Sequence, residues 1–113
     1  MNGLTSKMVL ETLELPAGSS VLVTGSAGAV GGYVIALSKR AGLHVLADAK
    51  DEDRELILQL GADEIVPRGP ALHAAVRTRF PRGVDGLVDG ALLGNSAAPL
   101  VRDGGTTVSL RKS

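Results

Sequence analysis

The chain of 113 residues contains no cysteine and only two histidines, His44 and His73. Without cysteine it forms no disulfide, no thiolate zinc site and no cysteine nucleophile. A zinc site usually takes three or four nitrogen, sulfur or carboxylate ligands, which two scattered histidines do not supply. The composition therefore predicts a protein without a metal centre.

Aromatic residues and excess charge are also scarce. The chain has one tyrosine, one phenylalanine and no tryptophan, so we expect no aromatic-lined substrate pocket formed by this chain alone. Its 12 basic residues are balanced by 12 acidic ones, which predicts neither a nucleic-acid nor a membrane partner. No apolar run approaches the roughly 18 residues that span a bilayer, and no signal-peptide pattern opens the chain. A cytoplasmic location is the resulting expectation.

Short apolar runs alternate along the chain with segments of helical periodicity. After an apolar segment of near-helical spacing at residues 4–13, the predicted strands are residues 21–23, 44–48, 64–66, 86–89 and 106–110, and the predicted helices are residues 30–41, 51–60, 70–80 and 96–101. Such alternation favours right-handed crossovers and a parallel sheet. We therefore expect residues 1–113 to form an α/β Rossmann domain, with a doubly wound parallel sheet of five strands in the order 3-2-1-4-5 and helices on both faces.

The periodicity also predicts which side chains are buried. The first helix should bury Val30, Val34, Leu37 and Ala41, and Tyr33 is interpreted as a packing residue rather than a catalytic one. Asp51 is expected to cap the next helix, which should bury its apolar positions. Those positions are Leu56, Ile57 and Leu60.

A glycine-rich turn follows the first predicted strand and opens the first predicted helix. Its residues are Gly25, Ser26, Ala27, Gly28, Ala29, Val30 and Gly31. A helix amino terminus presents unpaired N–H groups and a partial positive charge, and glycine lets a phosphate approach the backbone. Ser26 stands where the usual G-x-G-x-x-G fingerprint has its first glycine. The turn predicts a site for the pyrophosphate of a dinucleotide; a methyltransferase loop and a plain tight turn are the alternatives.

Asp48 ends the second predicted strand, 17 residues after Gly31. A carboxylate at this position accepts hydrogen bonds from the adenosine ribose and repels a 2′-phosphate, which favours NAD(H) over NADP(H). Lys50 and Arg54 stand close enough in the sequence to oppose that preference by binding a 2′-phosphate. The alternative interpretation of Asp48 is a loop or capping carboxylate.

Several segments together resemble one family. The run from Val21 to Gly32 is similar to the cofactor loop of the medium-chain dehydrogenase/reductase superfamily, and within it to the zinc-independent quinone oxidoreductases. The other segments that carry the resemblance are the G-L-T at residues 3–5, the L-G-A-D at residues 60–63, the G-V-D-x-x-x-D at residues 83–89 and the D-G-G at residues 103–105.

The resemblance implies an activity and a cofactor. Members of this family reduce quinones, enones or related carbonyl compounds with NAD(P)H. Backbone around Ala27 to Val30 would hold the pyrophosphate, and the end of the second strand would meet the ribose through Asp48, Ala49 and Lys50. The residues beside the nicotinamide half would be Gly90, Ala91, Leu92, Leu110 and Arg111.

The resemblance also bears on the extent of the chain. Members of the family are about three times longer and carry a separate substrate domain, so we expect a truncated or excised cofactor domain with weak or no activity alone. A free-standing, non-catalytic binding or interaction module is the alternative. The fifth strand would then be an exposed edge, which predicts self-association through residues 106–110 or pairing with a missing substrate domain.

Overall fold

The computed structural model describes residues 15–25, 29–49, 51–67, 71–89 and 100–109. Three α-helices, one 3-10 turn (Asp51–Asp53) and five strands lie within these ranges. The helices are α1 (Ala29–Arg40), α2 (Arg54–Leu60) and α3 (Ala71–Arg79), and the strands are β1 (Ser20–Thr24), β2 (His44–Asp48), β3 (Glu64–Val66), β4 (Val84–Asp89) and β5 (Val101–Ser109).

All five strands belong to one sheet in the order β3-β2-β1-β4-β5, and every neighbouring pair is parallel. This confirms the predicted α/β fold and strand order. Because the strands run the same way, their carboxyl ends meet along one edge of the sheet. The chain therefore brings residues from distant parts of the sequence to that edge.

The strands are apolar on both faces, as a sheet covered by helices requires. One core cluster contains Val21 and Val23 of β1, together with Val34 and Ile35 of α1 and Ile57 of α2. The other core cluster contains residues of opposite parity, among them Leu22, Leu46 and Leu87, with Leu72 and Val76 of α3. Successive strand residues point to opposite faces, so this division places α1 and α2 on one face and α3 on the other.

The fifth strand differs from its prediction. It starts at Val101, the last residue of the predicted helix 96–101, and it continues through Gly104 and Gly105, ahead of the predicted start at residue 106. Val84 pairs with Val101 and Gly86 pairs with Thr106, so residues 102–105 stand opposite Asp85 alone. The glycines therefore form a wide irregularity inside the strand, and Gly104 takes a left-handed φ of +80° there.

The helix faces are also rotated relative to their predictions. Val34, Ile35 and Ser38 are the buried side chains described in α1, whereas Tyr33 is 52% exposed and the interpretation of Tyr33 as a packing residue is wrong. Only part of the face predicted for α2 is buried, since Leu56 is 51% exposed. A seven-residue helix lying over the outer strands buries a narrow stripe, which here centres on Ile57.

The cap of α2 is a further correction. Asp51 belongs to the 3-10 turn, and Asp53 is the residue at the N-cap position. Asp53 makes no side-chain capping hydrogen bond, because its backbone is already helical rather than extended.

Candidate functional site

The connection from β1 to α1 lies at the carboxyl edge of the sheet. Gly25, the residue after β1, has a φ of +70°, a left-handed conformation that glycine adopts without steric cost. Helix α1 begins at Ala29, and its backbone includes Val30 and Gly31 in the first turn. Ser26, Ala27 and Gly28 of the predicted turn lie outside the described residues. The described residues place the end of β1 at Thr24 and the start of α1 at Ala29, on either side of the turn that the sequence predicted.

The amino end of α1 suits an anion. No acidic residue occupies its first turn, whereas Lys39 and Arg40 stand in its last turn. The basic residues match the negative end of the helix dipole, and the first turn leaves its positive end without a competing carboxylate. A phosphate group fits this charge distribution.

Gly32 lies where α1 approaches α2, since a β-carbon there would lie 3.3 Å from Cδ1 of Leu60. Nothing in the local sequence marks this glycine, because the contact depends on where α2 returns in space.

Asp48 is the last residue of β2, as predicted, and only 4% of its surface is exposed. It makes a polar interaction within the protein, as a buried carboxylate requires. Ala49 follows it with its side chain in the core, and its N–H donates to the carbonyl oxygen of Val66 at 3.1 Å. Lys50 lies outside the described residues.

The structure thus brings Gly25, the first turn of α1 and Asp48 to one edge of the sheet. The remaining predicted site residues cannot be placed there, because they lie outside the described residues. They are Gly90, Ala91, Leu92, Leu110 and Arg111.

A network of charged side chains occupies the opposite, amino edge. The carboxylate of Asp63 accepts a hydrogen bond from Nζ of Lys39 at 2.6 Å and another from the N–H of Val45 at 2.8 Å. Burial raises the pKa of Asp63, but these two hydrogen bonds and the charges of Lys39 and His44 lower it by more, so the net pKa is below 3.8. The network is a set of structural ion pairs.

Asp85 joins three strands at the same amino edge. Its carboxylate accepts a hydrogen bond from the N–H of Ser20 at 2.8 Å, another from the Ser20 hydroxyl, and a third from Nε of Arg102. Burial raises the pKa of Asp85. The hydrogen bonds from Ser20 and Arg102 lower it by more than burial raises it, so the net pKa is below 3.8. The acid of the G-V-D segment therefore ties β1, β4 and β5 together far from the glycine turn.

In the described part of the chain, no group of three or more histidine, aspartate or glutamate side chains is arranged to hold a metal ion. None of the helices in that part of the chain is long and apolar enough to cross a bilayer.

Known proteins resemble this chain in both sequence and structure. It is 33% identical over 88 residues to prostaglandin reductase-3 of Mus musculus, covering 75% of this chain and 23% of that protein. It is 37% identical over 85 residues to the chloroplast envelope quinone oxidoreductase homolog of Arabidopsis thaliana, covering 64% of this chain and 25% of that protein. No protein-family model matches the chain.

The solved structure of the quinone oxidoreductase from Coxiella burnetii superposes with a TM-score of 0.81 at 27% sequence identity, covering 96% of this chain and 34% of that one. The chain belongs to the medium-chain dehydrogenase/reductase superfamily, in its quinone oxidoreductase-like branch. As a member of this superfamily it spans about a quarter of the length of the curated relatives it matches.

Proposed function

We propose that this chain binds a nicotinamide dinucleotide along the carboxyl edge of its sheet, as the cofactor-binding part of an oxidoreductase. The observation that carries the proposal is that Gly25, in a left-handed conformation at the end of a central strand, comes only four residues before Ala29, the first residue of α1. A diphosphate at the amino end of α1 would meet backbone N–H groups and the positive end of the helix dipole. The ribose would lie at the carboxyl end of the neighbouring strand β2, beside Asp48.

The chemistry of the bound cofactor would be hydride transfer to a quinone, an enone or another carbonyl compound. The protein's part is to bind and orient the cofactor. Gly25 to Gly31 would hold the diphosphate, and Asp48, Ala49 and Lys50 would surround the ribose. Gly90, Ala91, Leu92, Leu110 and Arg111 are the residues that we assign to the nicotinamide half.

NAD(H) is the form that we favour. A carboxylate at Asp48 repels a 2′-phosphate; two unit charges at 4 Å cost about 1 kcal/mol in water and about 4 kcal/mol at an effective dielectric of 20. The backbone offers no compensation at the next residue, because the Ala49 N–H is already bonded to Val66. Since Asp48 is nearly buried, a ribose would reach its carboxylate only at the sheet edge.

Calorimetric titration with NADH and NADPH tests both parts of the proposal. We expect the wild type to bind NADH at least about fivefold more tightly than NADPH, because even the smaller repulsion is about 1 kcal/mol. The substitution Asp48→Asn keeps the shape of the side chain and removes the charge, so the preference should shrink. Asp48→Ala should act in the same direction.

The outcomes are separable. No binding of either nucleotide by the folded wild type would refute the proposed site. Tighter binding of NADPH would refute the preference alone, and an unchanged preference in both Asp48 variants would remove Asp48 from the ribose site. Glu52→Gln is the matched control, because Glu52 is an exposed acid just beyond the end of the same strand.

A further inference from the structure

Hydrogen-bonded register arranges the residues of the sheet in rows across neighbouring strands. Val23 of β1 is level with Val88 of β4, and Val88 is level with Val108 of β5. The next row toward the carboxyl edge is polar. It consists of Thr24, Asp89 and Ser109 in the same register. On the other side of β1, Val23 is level with Ala47, so the following residue, Asp48, stands beside Thr24.

Thr24 is the most enclosed member of this row among the side chains described. No part of it is exposed, and it makes a polar interaction within the protein. Its parity matches that of Leu22, so it lies on the face of the sheet covered by α3. Valine has nearly the same shape and would enter this environment without desolvating a hydroxyl.

Thr24 lies at the start of the connection between β1 and α1. Thr24 immediately precedes Gly25, where the chain leaves β1 in a left-handed conformation and turns toward α1. A side chain held by a polar interaction at this point restrains the end of β1 beside Asp48 on the neighbouring strand.

We infer that Thr24 is a positioning residue for the dinucleotide, acting through the β1–α1 connection on the part of the site that receives the diphosphate. The inference rests on the proposed function and adds a residue to it. Its specific consequence is that loss of the hydroxyl weakens binding of ligands that carry the diphosphate. Binding of the nucleoside part alone, at the end of β2, stays the same.

The test compares ADP with adenosine on the folded chain, by calorimetry for ADP and by NMR titration for adenosine. Thr24→Val should lower the affinity for ADP about tenfold, the effect of one mispositioned charged hydrogen bond, and leave that for adenosine unchanged. Thr24→Ser, which keeps the hydroxyl, should bind ADP within about twofold of the wild type. Thr24→Ala provides the same comparison as valine if the valine variant does not fold.

Ser20→Ala is the matched control. Ser20 is a buried hydroxyl residue on the same strand, but it bonds to Asp85 at the opposite edge, so its loss should reduce stability without changing either affinity. Equal ADP binding by wild type and Thr24→Val would overturn the inference, and so would a parallel loss of ADP and adenosine affinity. Failure of the wild type to bind NADH would instead overturn the proposed function, and this inference with it.

Discussion

At the scale of single residues, two glycines share a left-handed backbone but have different surroundings. Gly18 has a φ of +92° with open space around it. Gly83 has a φ of +97°, and a β-carbon there would lie 2.6 Å from the backbone nitrogen of Arg102. Backbone atoms cannot rotate away as a flexible side chain does, so a larger residue at Gly83 forces the backbone near Arg102 to shift.

Alanine substitutions at these two glycines separate the cost of backbone strain from the cost of steric overlap. Both Gly18→Ala and Gly83→Ala should lose roughly 1–2 kcal/mol of unfolding free energy, because alanine is strained in the left-handed region. Gly83→Ala should lose about 1–3 kcal/mol more, through displacement of the start of β5. Urea unfolding of both variants measures the difference, and equal losses would contradict the contact described at Gly83.

At the scale of elements, the amino edge of the sheet is held by carboxylates. Asp85 links β1, β4 and β5, while Asp63 links the start of β3 to α1 and β2. Backbone hydrogen bonds pair strands two at a time. A carboxylate that accepts several hydrogen bonds adds a connection among three elements, and it does so best in its charged form.

The lowered pKa values of Asp63 and Asp85 predict how stability depends on pH. Both values lie below the ordinary 3.8, so the folded state favours the charged carboxylates. Their contribution is fully present above the unfolded pKa and is lost as the pH falls below 3.8 through the folded values. Urea midpoints measured between pH 7 and pH 3 should therefore fall at the acid end.

Asp85→Asn should reduce the unfolding free energy at pH 7 by about 1–3 kcal/mol, because charged hydrogen bonds are lost. The remaining acid sensitivity should be shallower than that of the wild type, since only one of these two carboxylates, Asp63, would still contribute to it. An identical pH profile in the variant would show that Asp85 does not stabilise the fold through its charge.

At the scale of the whole molecule, the described sheet has β5 at one edge. An edge strand presents backbone N–H and C=O groups that can pair with another strand. The strand is nine residues long and includes an exposed threonine, Thr107, beyond its irregularity. Self-association through this edge, predicted from residues 106–110, stays a prediction.

Light scattering over a range of protein concentrations tests whether the chain self-associates through β5. We expect the average mass to rise with concentration, and Thr107→Lys to reduce that rise because charge on an edge strand opposes pairing. Thr78→Lys, at an exposed position of α3, is the control and should behave as the wild type. A constant monomer mass at high concentration would refute self-association through β5.

Much of the fold was predictable because its signals are local. Short apolar runs mark the strands, helical periodicity marks the helices, and Gly25 marks the strand-to-helix connection by a backbone preference of its own. The same patterns misjudged Ala41 and Leu56, which are exposed. Periodicity defines an apolar face but not how far a short helix lies from the neighbouring elements that would cover it.

The sequence by itself determined the alternation of elements and the position of the glycine connection, since each depends on residues near one another in the chain. The expected strand order followed from that alternation through the general topology of doubly wound sheets. Only the tertiary structure decided that Gly32 contacts Leu60, that Asp85 joins three strands and that Thr24 shares a polar row with Asp89. These are contacts between distant segments, and they depend on strand register and helix position, which no local pattern encodes.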